Sequence, residues 1–297
     1  MLLRQLTYFA AVVECGSFTE AAERCYITQS AVSQQIRALE QELGVTLLER
    51  RSRGFELTAA GRYLYEHGRA LLDEAEALCR ETRRAGSEEA RTLRIGCPRS
   101  YSSTELPDAV SRFAQEHPDT DVEVVPGTHE ELFDLLRSAG VDLALSDQRR
   151  AFSDEYVNLE LPEAQCMAEL PGGHGSASAG GVELAEMRGT PCILVAPRSQ
   201  RGTEQDFYRR TLGFTGSFLF AGSLEEARLM VAGRRGFLPV DAIGTLSPPD
   251  PSVVRVPLLR FGRPLTRRYC LFRRAELTSS RIESFAGLLK SLIEAKI

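Results

Sequence analysis

The sequence contains no run of about 18 consecutive apolar residues, the minimum length expected of a membrane-spanning helix. Its first residues also lack the basic region, the apolar run and the small-residue cleavage site of a secretory signal. Both absences predict a cytoplasmic protein that makes no membrane contact. The chain has 297 residues, of which 43% are hydrophobic and 26% are charged, and this favours about two globular domains.

Cysteine pairs and metal-ligand patterns are also missing. The seven cysteines include no C-x-x-C pair and their number is odd, so reduced thiols are expected instead of a disulfide framework. The four histidines have no metal-ligand spacing with one another or with cysteine, and we predict neither a metal nor a cofactor. There is no glycine-rich phosphate loop, G-x-S-x-G elbow, H-E-x-x-H or defensible pair of catalytic carboxylates. An enzyme with an α/β core is therefore the least supported alternative.

An overall basic charge is absent as well. The net charge is −5, and residues 1–65 hold seven arginines against seven glutamates. This excludes a chain that coats nucleic acid over its whole surface, and any DNA contact must come from a local arrangement. Arg50, Arg51 and Arg53 form such a local cluster.

The first 58 residues carry the signals of three helices. Apolar residues recur at three- and four-residue steps from Leu3 to Val13, which predicts an amphipathic helix that ends at Gly16. Ser17 begins a capping box for a short second helix. Thr28 is the expected cap of a longer third helix, and Gly44 is expected to end it.

Two helices around a tight turn predict a helix-turn-helix. Polar side chains occupy the first turns of its second helix, off the apolar stripe, where they can reach base edges in a major groove: Gln29, Ser30, Ser33 and Gln34. Thr28 and the neighbouring amides suit a phosphate. Residues 47–57 predict a hairpin whose tip carries Arg51 and Arg53, a wing for phosphate or minor-groove contact. A three-helix domain with no role in DNA binding is the alternative.

Four stretches of this region resemble the LysR-type transcriptional regulators: FTEAAER (18–24), TQSAVSQQIRALE (28–40), LGVTLLER (43–50) and LTAAGR (57–62). The resemblance implies Gln29, Ser33 and Gln34 as the main base readers. It places four further residues near the DNA backbone or minor groove: Thr28, Ser30, Arg37 and Arg53. RNA polymerase is the partner expected of such a regulator.

A long helix is predicted to begin near residue 59. Leu64, Leu71 and Leu78 repeat every seven residues, which favours a short coiled-coil seam between two copies of the chain. A two-fold dimer would place two recognition helices about 34 Å apart, one turn of DNA. The alternative is a helix packed on its own domain. The family resemblance agrees with the dimer and adds a dimer of dimers.

Strand and helix patterns alternate after residue 92, which predicts an α/β layered sheet. Ligands of such sheets bind in crevices at the carboxyl ends of strands. A loop there contains Arg99, Ser100, Ser102 and Ser103, and its hydroxyls, guanidinium and helix amides suit a carboxylate or another small anion. Thr128 lies at a comparable strand end. A capped helix with solvated polar residues is the alternative.

LRIG (93–96), VDLAL (141–145), ARLMVA (227–232) and GFLP (236–239) are similar to the effector domain of the same family. The resemblance implies a two-lobed, periplasmic-binding-protein-like fold. Lobe one would comprise about 91–162 and 269–297, and lobe two about 163–268. By resemblance the cleft between them would be lined by Ser100, Ser103, Thr128, Pro197, Arg198 and Ser199.

The combined prediction is an α/β chain with an all-α, winged-helix N-terminus. It has a winged helix-turn-helix over 1–58, a linker helix and hinge over 59–90, and an effector-binding domain over 91–297. The function expected is sequence-specific binding of double-stranded DNA, modulated by a small anionic effector, by a dimer or tetramer of this chain. A regulator that senses through Cys97, Cys166 or Cys192 is a second possibility.

Overall fold

The computed structural model describes residues 3–51, 54–86, 92–173, 180–277 and 279–296. The chain divides into two compact units, Met1–Ala85 and Gly86–Ile297. No helix formed by the described residues is both long enough and apolar enough to span a membrane.

The first unit is a set of helices with one β-hairpin. Its elements are α1 (Leu3–Cys15), α2 (Phe18–Arg24), α3 (Gln29–Leu43), β1 (Leu48–Arg51), β2 (Gly54–Leu57) and α4 (Ala59–Ala85). The predicted caps are present: the hydroxyls of Ser17 and Thr28 accept hydrogen bonds from backbone amides of α2 and α3. Gly44 ends α3 in the left-handed conformation, with φ of 69°. These residues confirm the helix boundaries predicted on either side of the turn.

The core of this unit comes from one face of each helix. Leu6 and Phe9 of α1 meet Val32, Ile36 and Leu39 of α3, and all five are buried. The period of three and four residues in the sequence is thus the period of this buried stripe. The opposite face of α3 is left to the solvent.

The described residues of the second unit form three sheets, one of five strands, one of six and one of two. Its elements before the first crossing are β3 (Thr92–Pro98), α5 (Glu105–Glu116), β4 (Asp121–Gly127), α6 (His129–Arg137), β5 (Leu143–Asp147) and β6 (Tyr156–Glu160). Those that follow are β7 (Ala164–Pro171), β8 (Val182–Glu183), β9 (Cys192–Val195), α7 (Arg201–Phe207), β10 (Phe218–Ala221), α8 (Leu224–Ala232), β11 (Leu238–Ala242), β12 (Val253–Arg260), β13 (Arg263–Pro264) and β14 (Thr266–Arg267). The last two are β15 (Tyr269–Arg274) and α9 (Ser280–Glu294).

Lobe one is built on a five-stranded sheet in the order β4-β3-β5-β15-β6. One apolar cluster packs α5 and α9 on this sheet, and a smaller one packs α6 on it. β3, β4 and β5 run parallel, so their carboxyl ends share one edge. Lobe two is built on β11-β7-β12-β13, with β8 and β14 attached and α8 packed nearby.

The chain crosses between the lobes twice. It leaves lobe one between β6 and β7, and it returns between β14, which pairs with β7, and β15, which pairs with β5. The strand predicted over 141–145 is shifted: the structure has it at 143–147, because Ser146 and Asp147 pair with Cys270 and Tyr269 of β15. This shift brings two polar residues into the carboxyl end of a buried strand.

Candidate nucleic-acid interface and ligand cleft

The N-terminal half of α3 presents polar side chains away from the core. Gln29, Ser30 and Gln34 are exposed, as is the cap residue Thr28, while Ser33 is half-buried. Two local hydrogen bonds order this surface. Gln29 Nε2 donates to Ser33 Oγ at 3.2 Å, and the hydroxyls of Thr28 and Ser30 lie 3.0 Å apart. Arg37, one turn further along α3, is also exposed.

The predicted hairpin is present directly after α3. β1 and β2 pair antiparallel, with Leu48 opposite Leu57 and Arg51 opposite Gly54. Glu40 of α3 fixes its start, because its carboxylate accepts the amides of residues 47 and 48 at 2.7 and 3.2 Å. The tip holds two predicted contact residues. Arg53 lies outside the described residues, and so does the side chain of Arg51.

The three leucines of the predicted seam have unlike surroundings. Leu64 packs against the core of its own unit. On the same face, a Cβ added at Gly68 would lie 2.6 Å from Leu6 Cδ1, so α4 lies close against α1. Leu71 and Leu78 are 43% and 69% exposed. The start of α4 therefore packs on its own unit, and its later leucines face outward; the seam between two chains stays a prediction.

A cleft between the lobes meets the carboxyl ends of β3, β4 and β5, where the sequence predicted it. Its cavity is small, about 40 Å³. Of the eight predicted effector contacts, three line this cavity: Arg99, Ser100 and Thr128. Thr128 also caps α6, and the Glu131 carboxylate receives both the Thr128 amide, at 2.9 Å, and Arg99 Nε, at 3.1 Å.

The other five predicted contacts do not line this cavity. Ser102 is buried, and its hydroxyl accepts Arg228 Nη2 of lobe two at 2.6 Å. Ser103 is buried beside the loop that follows β11, where it forms a β-bridge with Leu246. Pro197, Arg198 and Ser199 follow β9, and the cavity is lined there by the strand's own residues 193–195 instead.

A network of opposite charges fills the cleft. Arg149, just after β5, holds Glu204 of α7 with two parallel hydrogen bonds of 2.8 and 3.0 Å, and its Nε donates to Asp147 at 2.8 Å. The Arg149 guanidinium also lies over the ring of Phe207, 3.8 Å from its centroid. Arg267 of β14 bonds Asp147 as well, so both arginines join residues of lobe one to residues of lobe two.

Arg267 is the centre of this network. It is buried, and its Nη1 lies 2.5 Å from the Asp241 carboxylate, which also accepts the Tyr269 hydroxyl at 2.7 Å. Burial alone would raise the pKa of Asp147, but Arg267, a hydrogen bond from His129 and Arg149 together hold that pKa well below its usual range. The carboxylate is therefore ionised, and the arginines stay charged.

Sequence reasoning missed most of this network. Asp147 stands at the carboxyl end of β5, so the rule that selected Ser100 and Thr128 applied to it too. Arg267 lies just before the chain returns to lobe one, and this position was a usable signal. No local pattern pointed to Glu204, because it meets Arg149 across 55 residues of sequence.

The cysteines give little support to a thiol sensor. Burial raises the pKa of Cys97 to about 11 although Arg99 acts to lower it, and burial raises the pKa of Cys166 and Cys192 well above the usual value. A reactive thiol needs a depressed pKa and partial exposure. Among the described residues, no group of three His, Cys, Asp or Glu side chains is placed to hold a metal ion.

Comparisons with known proteins agree with both halves of the chain. Residues 3–62 match the profile described as "Bacterial regulatory helix-turn-helix protein, lysR family", and residues 86–293 match "LysR substrate binding domain". The HTH-type transcriptional regulator BenM of Acinetobacter baylyi is 37% identical over 161 residues, which are 54% of this chain and 52% of BenM, so the chain spans about half the length of that relative. AlsR of Bacillus subtilis, also an HTH-type transcriptional regulator, is 31% identical over 210 residues, 70% of this chain and 68% of AlsR.

The solved structure of full-length BenM has a TM-score of 0.55 and 25% identity to this chain, with 99% of this chain and 97% of BenM covered. The similarity thus extends over the helix-turn-helix, the long helix and both lobes. The chain belongs to the LysR family of bacterial regulatory helix-turn-helix proteins.

Proposed function

We propose that this chain is a sequence-specific, DNA-binding transcriptional regulator, acting in the cytoplasm, whose activity is modulated by a small molecule bound between its lobes. The observation that carries the DNA-binding part is the polar face of α3. The apolar side chains of α3 pack in the core. Gln29, Ser30 and Gln34 face outward at the end of the helix that Thr28 caps. Short polar side chains on such a face can enter a major groove and reach base edges.

The test is enrichment of sheared genomic DNA by the purified protein, followed by sequencing. Wild type should enrich a site with dyad symmetry. Gln29→Ala and Ser33→Ala should each weaken binding to that site by about 5- to 150-fold, since one good base contact is worth about 1–3 kcal/mol. Gln41→Ala is the matched control, because Gln41 is exposed near the other end of α3. Equal losses in Gln29→Ala and Gln41→Ala would contradict the assignment of the reading face.

We further propose that the effector is a small anion, a carboxylate that takes the place of Glu204 on Arg149. Two parallel hydrogen bonds of 2.8 and 3.0 Å already join this guanidinium to a carboxylate, the fork geometry that arginine uses for such ligands. A cavity of about 40 Å³ holds only a few waters, so the lobes must separate before a metabolite enters. Binding and opening are thereby linked, as a regulator requires.

Calorimetric titration with small mono- and dicarboxylates, and with their amides as uncharged counterparts, tests this proposal. Glu204→Gln should tighten carboxylate binding, because it removes the competing charge, and Arg149→Met should abolish it. Glu225→Gln is the control, since Glu225 is exposed on α8. Binding of the amides as strongly as the acids, in wild type and in Glu204→Gln alike, would reject an anionic effector and leave the DNA-binding proposal intact.

For assembly, we propose a two-fold dimer joined through Leu71 and Leu78 of α4, while Leu64 packs within its own chain. We also propose that two such dimers form a tetramer and that the protein contacts RNA polymerase at promoters, as the family resemblance implies. The two outer leucines are exposed in the single chain, and a coiled-coil seam buries such side chains. In sedimentation experiments, the mass of Leu78→Glu should be half that of wild type, because the dimer seam is lost. An unchanged mass would reject the seam.

A further inference from the structure

Lobe one contains a second cavity, larger than the cleft, of about 190 Å³. We call it the outer cavity. It lies between α6, β6 and the loop that joins β5 to β6, and aromatic rings form its walls. Phe133 of α6 packs edge-to-face with Tyr156 and Phe272, with ring centroids 5.5 and 5.0 Å apart. His129 lies against the same Phe133 ring at 4.7 Å. Phe152, 43% exposed, also lines it.

The size and chemistry of the outer cavity fit one aromatic ring. A cavity of about 150 Å³ with apolar walls accommodates benzene, so this one has room for a ring and one small substituent. Its polar side chains include Gln148, Asn158 and Arg150. Arg137 and Arg149 line it too, and each of the three guanidiniums is paired with a carboxylate: Arg150 with Glu130 at 2.8 Å, Arg149 with Glu204 at 2.8 Å, and Arg137 with Asp134. The site therefore offers hydrogen bonds without a large surplus of charge.

The outer cavity adjoins the cleft. Arg149 and His129 line both, and the loop that carries Arg149 is the wall between them. On the cleft side, the Arg149 guanidinium holds Glu204 of lobe two. The neighbouring residues Gln148 and Arg150 line the outer side. A molecule seated in the outer cavity therefore touches the segment whose position sets the link between the lobes.

We propose that the outer cavity binds a one-ring aromatic compound carrying a single hydrogen-bonding substituent. Its occupancy is coupled to the Arg149–Glu204 link. This is a second ligand site, distinct from the interlobe cleft, and the wall the two share gives each ligand an influence on the affinity for the other.

The test uses fluorine NMR of two probes, 4-fluorophenol and 4-fluorobenzoate. Each probe is held at millimolar concentration and titrated with the protein. At least one probe should show saturable broadening. Asn158→Phe places a ring in the cavity and should abolish this binding. Val157→Phe is the matched control, because it adds the same side chain to the same strand at a position that is 40% exposed and points to the other face of the sheet. The two probes separate a neutral from an anionic preference.

Three further variants keep the test decisive. Phe152→Ala removes an exposed part of the wall without touching a core and should weaken binding several-fold. Ser100→Phe obstructs the cleft and should leave the probe bound. Glu204→Gln should change the probe affinity if the two sites are coupled, and no change would overturn the coupling. Absence of saturable binding to wild type, or loss in Ser100→Phe with retention in Asn158→Phe, would overturn the site.

Discussion

Replacing the central cation of the cleft, Arg267→Met, is the sharpest test of how the two lobes are held. Arg267 is buried and contacts Asp147 of lobe one and Asp241 of lobe two. Methionine is uncharged and replaces only the unbranched part of the arginine side chain, so it leaves two carboxylates without their main partner. Breaking a buried pair in this way costs about 3–5 kcal/mol, because the charge left behind stays buried. A domain is stable by only about 5–15 kcal/mol, so a large share of the stability is at risk.

The dependence on pH distinguishes this mechanism from a simple loss of packing. In the wild type the pKa of Asp147 is held below its usual value of 3.8, so its contribution to stability is present above that pH and is lost as the pH falls through the lower, folded value. In Arg267→Met the main attraction is gone while burial remains, and we expect the pKa of Asp147 to rise. The cost of the substitution should therefore be largest at pH 7 and smaller at pH 5.

Urea unfolding followed by circular dichroism at both pH values measures these effects. Arg268→Met is the matched control: Arg268 is the next residue, its side chain is 67% exposed, and it lies 3.8 Å from an exposed Glu163. A surface change of this kind alters the free energy of unfolding by less than about 0.5 kcal/mol. If Arg267→Met costs no more than Arg268→Met, or if its cost is the same at pH 5 and pH 7, the buried network is not what joins the lobes.

Three further predictions concern the first unit. Tyr26 in the turn before α3 has φ of 55° and is 95% exposed, so Tyr26→Asn should raise the free energy of unfolding by about 1 kcal/mol in urea titrations, and a loss of stability would contradict this. A Cβ at Gly61 would lie 2.1 Å from the Leu47 carbonyl oxygen, so Gly61→Ala should lower the melting temperature, with a cost of about 1–3 kcal/mol, and an unchanged melting temperature would exclude the close approach. Arg53→Ala should weaken binding to all DNA sequences and reduce the slope of log K against log salt by about 1 per chain; a loss confined to one sequence would instead make Arg53 a base reader.

The helix-turn-helix was predictable because its signals are local. A cap at Thr28 and a stop at Gly44 act within a few residues of themselves, and the apolar stripe between them needs only the helical period. The existence of the long helix was predictable, but the surface that it packs against was not. A repeat of leucines gives the same pattern whether Leu64 meets a second chain or its own α1, and the sequence holds no information that separates the two.

The cleft was half predictable. The expectation that ligands bind at the carboxyl ends of strands pointed to Arg99, Ser100 and Thr128, which line the cavity. Each of them follows a strand that the local sequence makes evident. The same expectation applied to the end of β5, but the place of Asp147 inside that strand depends on pairing with β15, more than 100 residues later. The pairing of Arg149 with Glu204 is of the same kind: two charged residues in separate segments, brought together only by the fold.

The link between Arg149 and Glu204 also sets a timescale. Under the proposed mechanism a ligand waits for the lobes to part, so its observed rate of binding should rise with concentration at first and then level off at the rate of opening. The speed of the response then belongs to the protein and not to the supply of metabolite. A pulse of ligand shorter than the opening time would then leave the lobes closed, and a regulator of the proposed kind would respond only to sustained signals.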